Sequence, residues 1–141
     1  MTIFETYTML FVDTLVSNFA FNSSTELSIH AMKIFGHYNG YLIIIISSLA
    51  FMISSCVNYI FGMACYKILS PLNAKEGANK DERIKKLRSS SYLPLMLMLS
   101  AIPFFGKFVM LFSGFCQIPP IKAITIGSIS RLVYYSLLMW I

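Results

Sequence analysis

The sequence predicts an all-α integral membrane protein with multi-pass transmembrane helices and two broken, re-entrant hairpin segments. Three observations lead there. Of 141 residues, 57% are hydrophobic and only 12% are charged, against about 25% charged in a soluble domain. From Gly36 to Tyr66 there is no Asp, Glu, Lys or Arg, a run well beyond the ~18 apolar residues that indicate a membrane span. Two other apolar stretches are interrupted by polar residues, proline or glycine, which a membrane tolerates only where the loosened backbone is buried in protein or lines a cavity.

The chain length suits one domain, 1–141, and its elements read in order. Residues 7–35 form the first broken region. Tyr7 to Phe21 is apolar but holds Asp13 and Asn18, and it is short for a span. The polar run Asn22-Ser23-Ser24-Thr25-Glu26 interrupts it, and Leu27 to Phe35 resumes a helical pattern. A re-entrant hairpin and a pair of interfacial helices both fit. Tyr41 to Leu69 is the clearest helix, about 43 Å long at about 1.5 Å per residue, enough to cross with tilt. Pro71 stops it. Ser47, Ser54, Ser55, Asn58, Gly62 and Cys65 recur at helical spacing as a small, polar stripe, the usual sign of contact between membrane helices. Asn58, beside Tyr59, is a stronger candidate for a site, because a carboxamide in hydrocarbon needs a partner.

Residues 72–92 are a charged connector with Lys75, Lys80, Arg83, Lys85, Lys86 and Arg88, six of the eleven basic residues. Its KDERIKKLR core suits a short amphipathic helix at the membrane surface. Such clustering marks a cytoplasmic loop and is compatible with binding anionic lipid headgroups; it does not imply nucleic acid. Residues 93–118 form the second broken region, interrupted from Pro103 to Lys107. After Ile118-Pro119-Pro120, residues 121–141 form the last transmembrane helix, with Trp140 placed for the interface. On that helix Ala123, Gly127, Ser130, Arg131 and Tyr134 share one face. Each half thus pairs a broken segment with a long helix, a coarse pseudo-inverted repeat. Broken helices in corresponding positions point to a transport site near the midplane.

Cys56, Cys65 and Cys116 form no CxxC or Cys/His cluster, so a disulfide framework or metal site has no support. No cofactor is implied. The N-terminal MTIFETYTML is acidic and lacks signal-peptide features. His30 and His37 lie seven residues apart just before the long helix and read as interfacial. With no nucleophile–base pair visible, the chain is not expected to be an enzyme.

Four charges lie in or beside apolar segments: Asp13, Glu26, Lys107 and Arg131. A central charge costs about 2.5–3.5 kcal/mol on insertion scales, so such groups pair or face a cavity. Glu26 is expected to pair with Lys107 or Arg131. Free N–H groups at the breaks, with these cations, would suit a phosphate-bearing headgroup. Two simpler readings stay open: Lys107 reaching the interface along its stem, and Asp13 capping a helix.

Three stretches resemble the DedA family (SNARE-associated, or VTT-domain, membrane proteins), within it the YqaA-like branch. They are FVDTLVSNFAFNSSTELSIHA with Glu26, SSCVNYIFG with its Asn-Tyr-x-x-Gly, and SAIPFFGKFVMLFSGFCQIPPIKAITIGSISRLVYY. The last has a Pro-x-x-Gly at Pro103 and Gly106, a small-Gly pair at Ser113-Gly114, and Gly127 with Arg131. The chain departs at Asn22, where the family usually has proline, and at Lys107, where YqaA-like members often have an acid. The resemblance implies facing re-entrant hairpins in the inner (plasma) membrane, and movement of phospholipid or polyprenyl phosphate between leaflets. The expected site is Glu26, Asn58, Tyr59, Pro103, Gly106, Lys107 and Arg131, with Gly62, Gly114 and Gly127 for helix packing. Glu26 would titrate or balance the cations, Lys107 and Arg131 would contact phosphate, Pro103 and Gly106 would open the backbone, and Asn58 would satisfy it. The expected partners are membrane lipids; self-association into a homo-oligomer stays open. The alternative is a non-catalytic assembly partner in a membrane complex.

Overall fold

A computed structural model describes residues 2–19, 27–71 and 77–141. They are all-helical, without a strand among the described residues. The helices are α1 (Ile3–Ser17), α2 (Leu27–Phe35), α3 (Gly40–Leu69), α4 (Gly77–Arg88), α5 (Leu93–Met98), α6 (Pro103–Phe115) and α7 (Pro120–Trp140), with a 3₁₀ turn at Leu99–Ala101 between α5 and α6.

Local chemistry sets the helix ends. Thr2 opens α1 with a capping box: its hydroxyl accepts from the Glu5 N–H, and the Glu5 carboxylate accepts from the Thr2 N–H at 2.7 Å. The acidic N-terminal sequence therefore has a structural use. Asn39 caps α3, its Oδ1 accepting from the Tyr41 N–H at 3.1 Å. All five prolines stand at helix boundaries. Pro71 follows α3, Pro119 precedes α7, and Pro94, Pro103 and Pro120 occupy the first two positions of α5, α6 and α7. There a missing N–H breaks no intrahelical bond.

Pro103 corrects one expectation. The second interruption lies at Leu99–Ile102, where the chain tightens into the 3₁₀ turn and then extends at Ile102. Pro103 begins the next helix, and Gly106 and Lys107 lie inside α6. Proline's fixed φ suits the first helical turn, so the residue that breaks one helix starts another.

α3 is the central element, with α1, α6 and α7 packed around it. One core joins Phe51 and Tyr59 of α3 to Leu97, Val109, Met110, Ile118 and Ala123. A second joins Leu10, Ile29, Met32, Ile43 and Tyr135, which ties α1 and α2 to α3 and α7. α3 and α6 cross backbone to backbone. A Cβ on Gly62 would collide with the Leu111 carbonyl, and one on Gly114 with the Tyr59 carbonyl. The turn after α6 is a Schellman motif, with Gln117 N–H bonded to Gly114 O and Ile118 N–H to Ser113 O. Gln117 holds φ at +53° to make it.

Polar groups are buried beside the apolar cores, and the outside is rich in large apolar side chains. Phe4, Ile34, Phe35, Ile60, Ile129 and Trp140 are exposed, whereas Asn18, Ser47, Ser54, Asn58, Ser100, Lys107 and Arg131 are buried. Most of the α3 stripe predicted from spacing is part of the inner face: Ser47, Ser54, Ser55, Asn58 and Gly62 are buried, and Cys65 is half-buried. Among the described residues, α3 is the one helix long and apolar enough by itself to cross a membrane, with mean hydropathy 2.1.

Two substitutions test this packing. Gly114→Ala should lower the thermal unfolding midpoint in detergent, with a cost of about 1–3 kcal/mol for forcing the helices apart. Gln117→Gly should raise it, by up to about 1 kcal/mol, because a side chain in the left-handed region costs roughly that much.

Candidate functional site

The site forms where α1 stops. The last carbonyls of a helix have no intrahelical partner and carry its partial negative charge. Ser17 ends α1, and Asn18 is its C-cap. Asn18 turns its amide back on its own helix, Nδ2 donating to Thr14 O at 2.7 Å. That leaves its carbonyl and its Oδ1 facing the other helices.

Three helices supply donors to this end. From α3, Asn58 Nδ2 donates to Asn18 O at 2.8 Å. From α7, Arg131 Nη2 donates to Asn18 Oδ1 at 2.9 Å. From α6, Lys107 Nζ reaches Ser17 O at 3.4 Å, a long contact. Arg131 has no exposed surface and Lys107 is 2% exposed. Their residue positions are far apart in the chain, so the interrupted end of α1 is what joins them.

Aromatic faces complete the surroundings. The Arg131 guanidinium carbon is 4.9 Å from the Phe51 ring centroid, 5.6 Å from that of Tyr134 and 5.7 Å from that of Tyr135. A desolvated cation on such a face gains about 2 kcal/mol. Lys107 Nζ lies 5.4 Å from the Phe104 ring centroid. Gly106 makes room: a Cβ there would sit 2.6 Å from Ser100 O and 3.2 Å from Arg131 Nη2. Gly127, one turn before Arg131, makes room for Met110 and Ser100: a Cβ there would strike Met110 Cε and approach Ser100 Oγ to 3.3 Å.

Of the residues expected at the site, Asn58, Gly106, Lys107 and Arg131 come together. The freed backbone that Asn58 reaches belongs to the end of α1. Tyr59 points elsewhere, its hydroxyl donating to Ile118 O at 2.6 Å and fastening the α6–α7 turn to α3. Pro103 stands at the start of α6. Glu26, and with it the expected carboxylate–cation pair, lies outside the described residues. Asp13 acts as a cap: its Oδ2 accepts from the Ser28 N–H in the first turn of α2 at 3.0 Å. His30 and His37 are exposed. Among the described residues, no three His, Cys, Asp or Glu side chains are grouped to hold a metal ion.

Asn18 and Phe51 were not singled out by spacing. Asn18 carried a usable signal, because a carboxamide in an apolar run needs a partner, the reasoning that marked Asn58. Phe51 carried none; it sits beside the polar stripe as one apolar residue among many.

The Asn18–Arg131 contact should appear as energetic coupling. Asn18→Ala and Arg131→Met are each expected to destabilise by about 2–4 kcal/mol, and the double variant by less than their sum, with a coupling of about 1 kcal/mol or more. Thermal unfolding of the four proteins in detergent measures it. Arg131→Lys should recover little, since a point-charge ammonium cannot both lie flat on Phe51 and reach Asn18.

No protein-family model matches this chain, and no solved structure matches it. It is similar to the uncharacterized protein RP436 of Rickettsia prowazekii (strain Madrid E), with 31% identity over 133 residues that cover 94% of each chain. End-to-end similarity at that level shows common descent, and the chain belongs to the family of RP436.

Proposed function

We propose that this chain is a multi-pass inner-membrane protein, DedA-like in its YqaA-like branch, that moves lipids or lipid-linked anions between leaflets. The observation that carries the reading is the meeting of two fully buried cations on an interrupted helix end, inside a shell whose outside is apolar. Water-soluble domains seldom bury lysine and arginine while exposing long runs of Phe, Ile and Leu. In a bilayer the same distribution is expected, because lipid covers the apolar outside and intramembrane charge marks a pathway.

The substrate class follows from the charge. Two buried cations suit a phosphate group, as in phospholipid or polyprenyl phosphate. Both cations are occluded in this conformation, so a headgroup reaches them only when the end of α1 parts from α6 and α7. Glu26, close in sequence to that end, is the titratable group proposed to balance them when no substrate is bound. The charged connector, 72–92, is proposed to lie in the cytoplasm.

Purified protein in liposomes tests the reading. Leaflet exchange of a fluorescent phospholipid and of a short polyprenyl phosphate should be faster than in empty liposomes, and Glu26→Gln and Lys107→Gln should each slow it about tenfold or more. The lipid that exchanges faster names the substrate. Absence of exchange for both lipids, in protein shown to be folded, would replace this reading with that of an assembly partner whose polar stripes serve packing alone.

A further inference from the structure

α4 belongs to neither core. From Glu82 to Arg88 its side chains are exposed, apart from a half-buried Ile84. A helix of twelve residues whose described side chains pack so little is marginal in water. Its sequence nevertheless has a defined pattern. Ile84 and Leu87, its two large apolar residues, are spaced to form one narrow stripe. At 3.6 residues per turn, Arg83 and Arg88 flank that stripe at about 70° on either side. Lys80 falls in register with the stripe, and Glu82 falls on the opposite face. Five basic residues stand against Asp81 and Glu82.

This is the layout of a helix lying in a membrane interface, with apolar residues at the acyl boundary and long cationic side chains on the phosphates at either side. Neighbouring features agree. Lys67 occupies the last turn of α3, and Tyr92, just before α5, is 77% exposed, where a ring with a polar tip suits the headgroup layer. Two apolar residues hold a helix to lipid only weakly. Charge must supply the rest, so the lipid's own charge decides the outcome.

We propose that α4 is an interfacial helix that docks on an anionic lipid surface, with Ile84 and Leu87 toward the acyl chains and Arg83 and Arg88 on lipid phosphates. This rests on the membrane reading above but not on lipid translocation.

The test places the whole chain in lipid nanodiscs of phosphatidylcholine alone, or of equal parts phosphatidylcholine and phosphatidylglycerol. Backbone hydrogen exchange is then read across residues 77–88. Exchange should be roughly tenfold slower in the anionic discs, and the difference should vanish in molar salt. The double variant R83Q/R88Q should abolish it, Glu82→Gln should keep it, and exchange in α3 should be unchanged throughout. Equal exchange in the two discs, by inserted protein, would overturn the proposal. So would slow exchange that survives both salt and R83Q/R88Q, since a protein contact would then hold α4. If the chain stays out of the discs and is monodisperse in buffer without lipid, the membrane reading itself fails, a result distinct from equal exchange.

Discussion

A guanidinium with no exposed surface is the constraint on which the rest of the fold depends. Unpaired, a buried charge of that size costs several kcal/mol even after relaxation. The chain meets the cost with an oxygen at the end of α1 and with the ring of Phe51 on α3. The two contacts come from different helices, so together they favour one mutual position of α1, α3 and α7. Asn58 strengthens the same arrangement by closing the last carbonyl of α1 from α3. The polar centre therefore sets which helices pack where, while the apolar cores on either side add attraction without direction.

The glycines follow from this centre. Backbones must approach closely if short polar groups are to meet across helices. Gly62 and Gly114 bring α3 and α6 together, and Gly106 lets Arg131 pass against the first turn of α6. A larger residue at any of them would separate groups whose hydrogen bonds depend on tenths of an ångström.

Much of this was legible in the sequence, for identifiable reasons. The extent of α3 was plain because a long uncharged run ends in proline. The inward faces of α3 and α7 were plain because Ser, Gly, Asn and Arg recur at helical spacing among large apolar residues. Arg131 and Lys107 were conspicuous because charge is rare in such segments. The direction of the break at Pro103 was not legible: proline ends one helix and begins another equally well, and only the extended Ile102 decides between them. Tyr59 shows the same limit. Its neighbour Asn58 reaches the end of α1, but at about 100° per residue the next side chain points elsewhere. Asn18 was hidden by position, since a polar residue near the end of a short apolar segment reads as termination.

The polarity of the helix end bears on how a transport site of this kind would work. The sequence suggested free N–H groups awaiting an anion. The end that gathers Lys107 and Arg131 instead presents carbonyl and amide oxygens, so the cations already have acceptors. A hydrogen bond from a charged donor to a neutral oxygen contributes about 1.5–3 kcal/mol. A full negative charge about 4 Å away attracts each cation by about 4 kcal/mol at an effective dielectric of about 20, before the cost of stripping water from the anion is counted. A phosphate would compete with the oxygens of α1 for these cations, its full charge attracting more strongly than a neutral oxygen but losing more hydration on entering. Close competition of this sort is what a translocation site requires, because a headgroup held much more strongly than the protein's own oxygens would not be released to the other leaflet. If the chain moves lipids as proposed, the end of α1 would be a stand-in for the headgroup, and closing the site and releasing the headgroup would be one event.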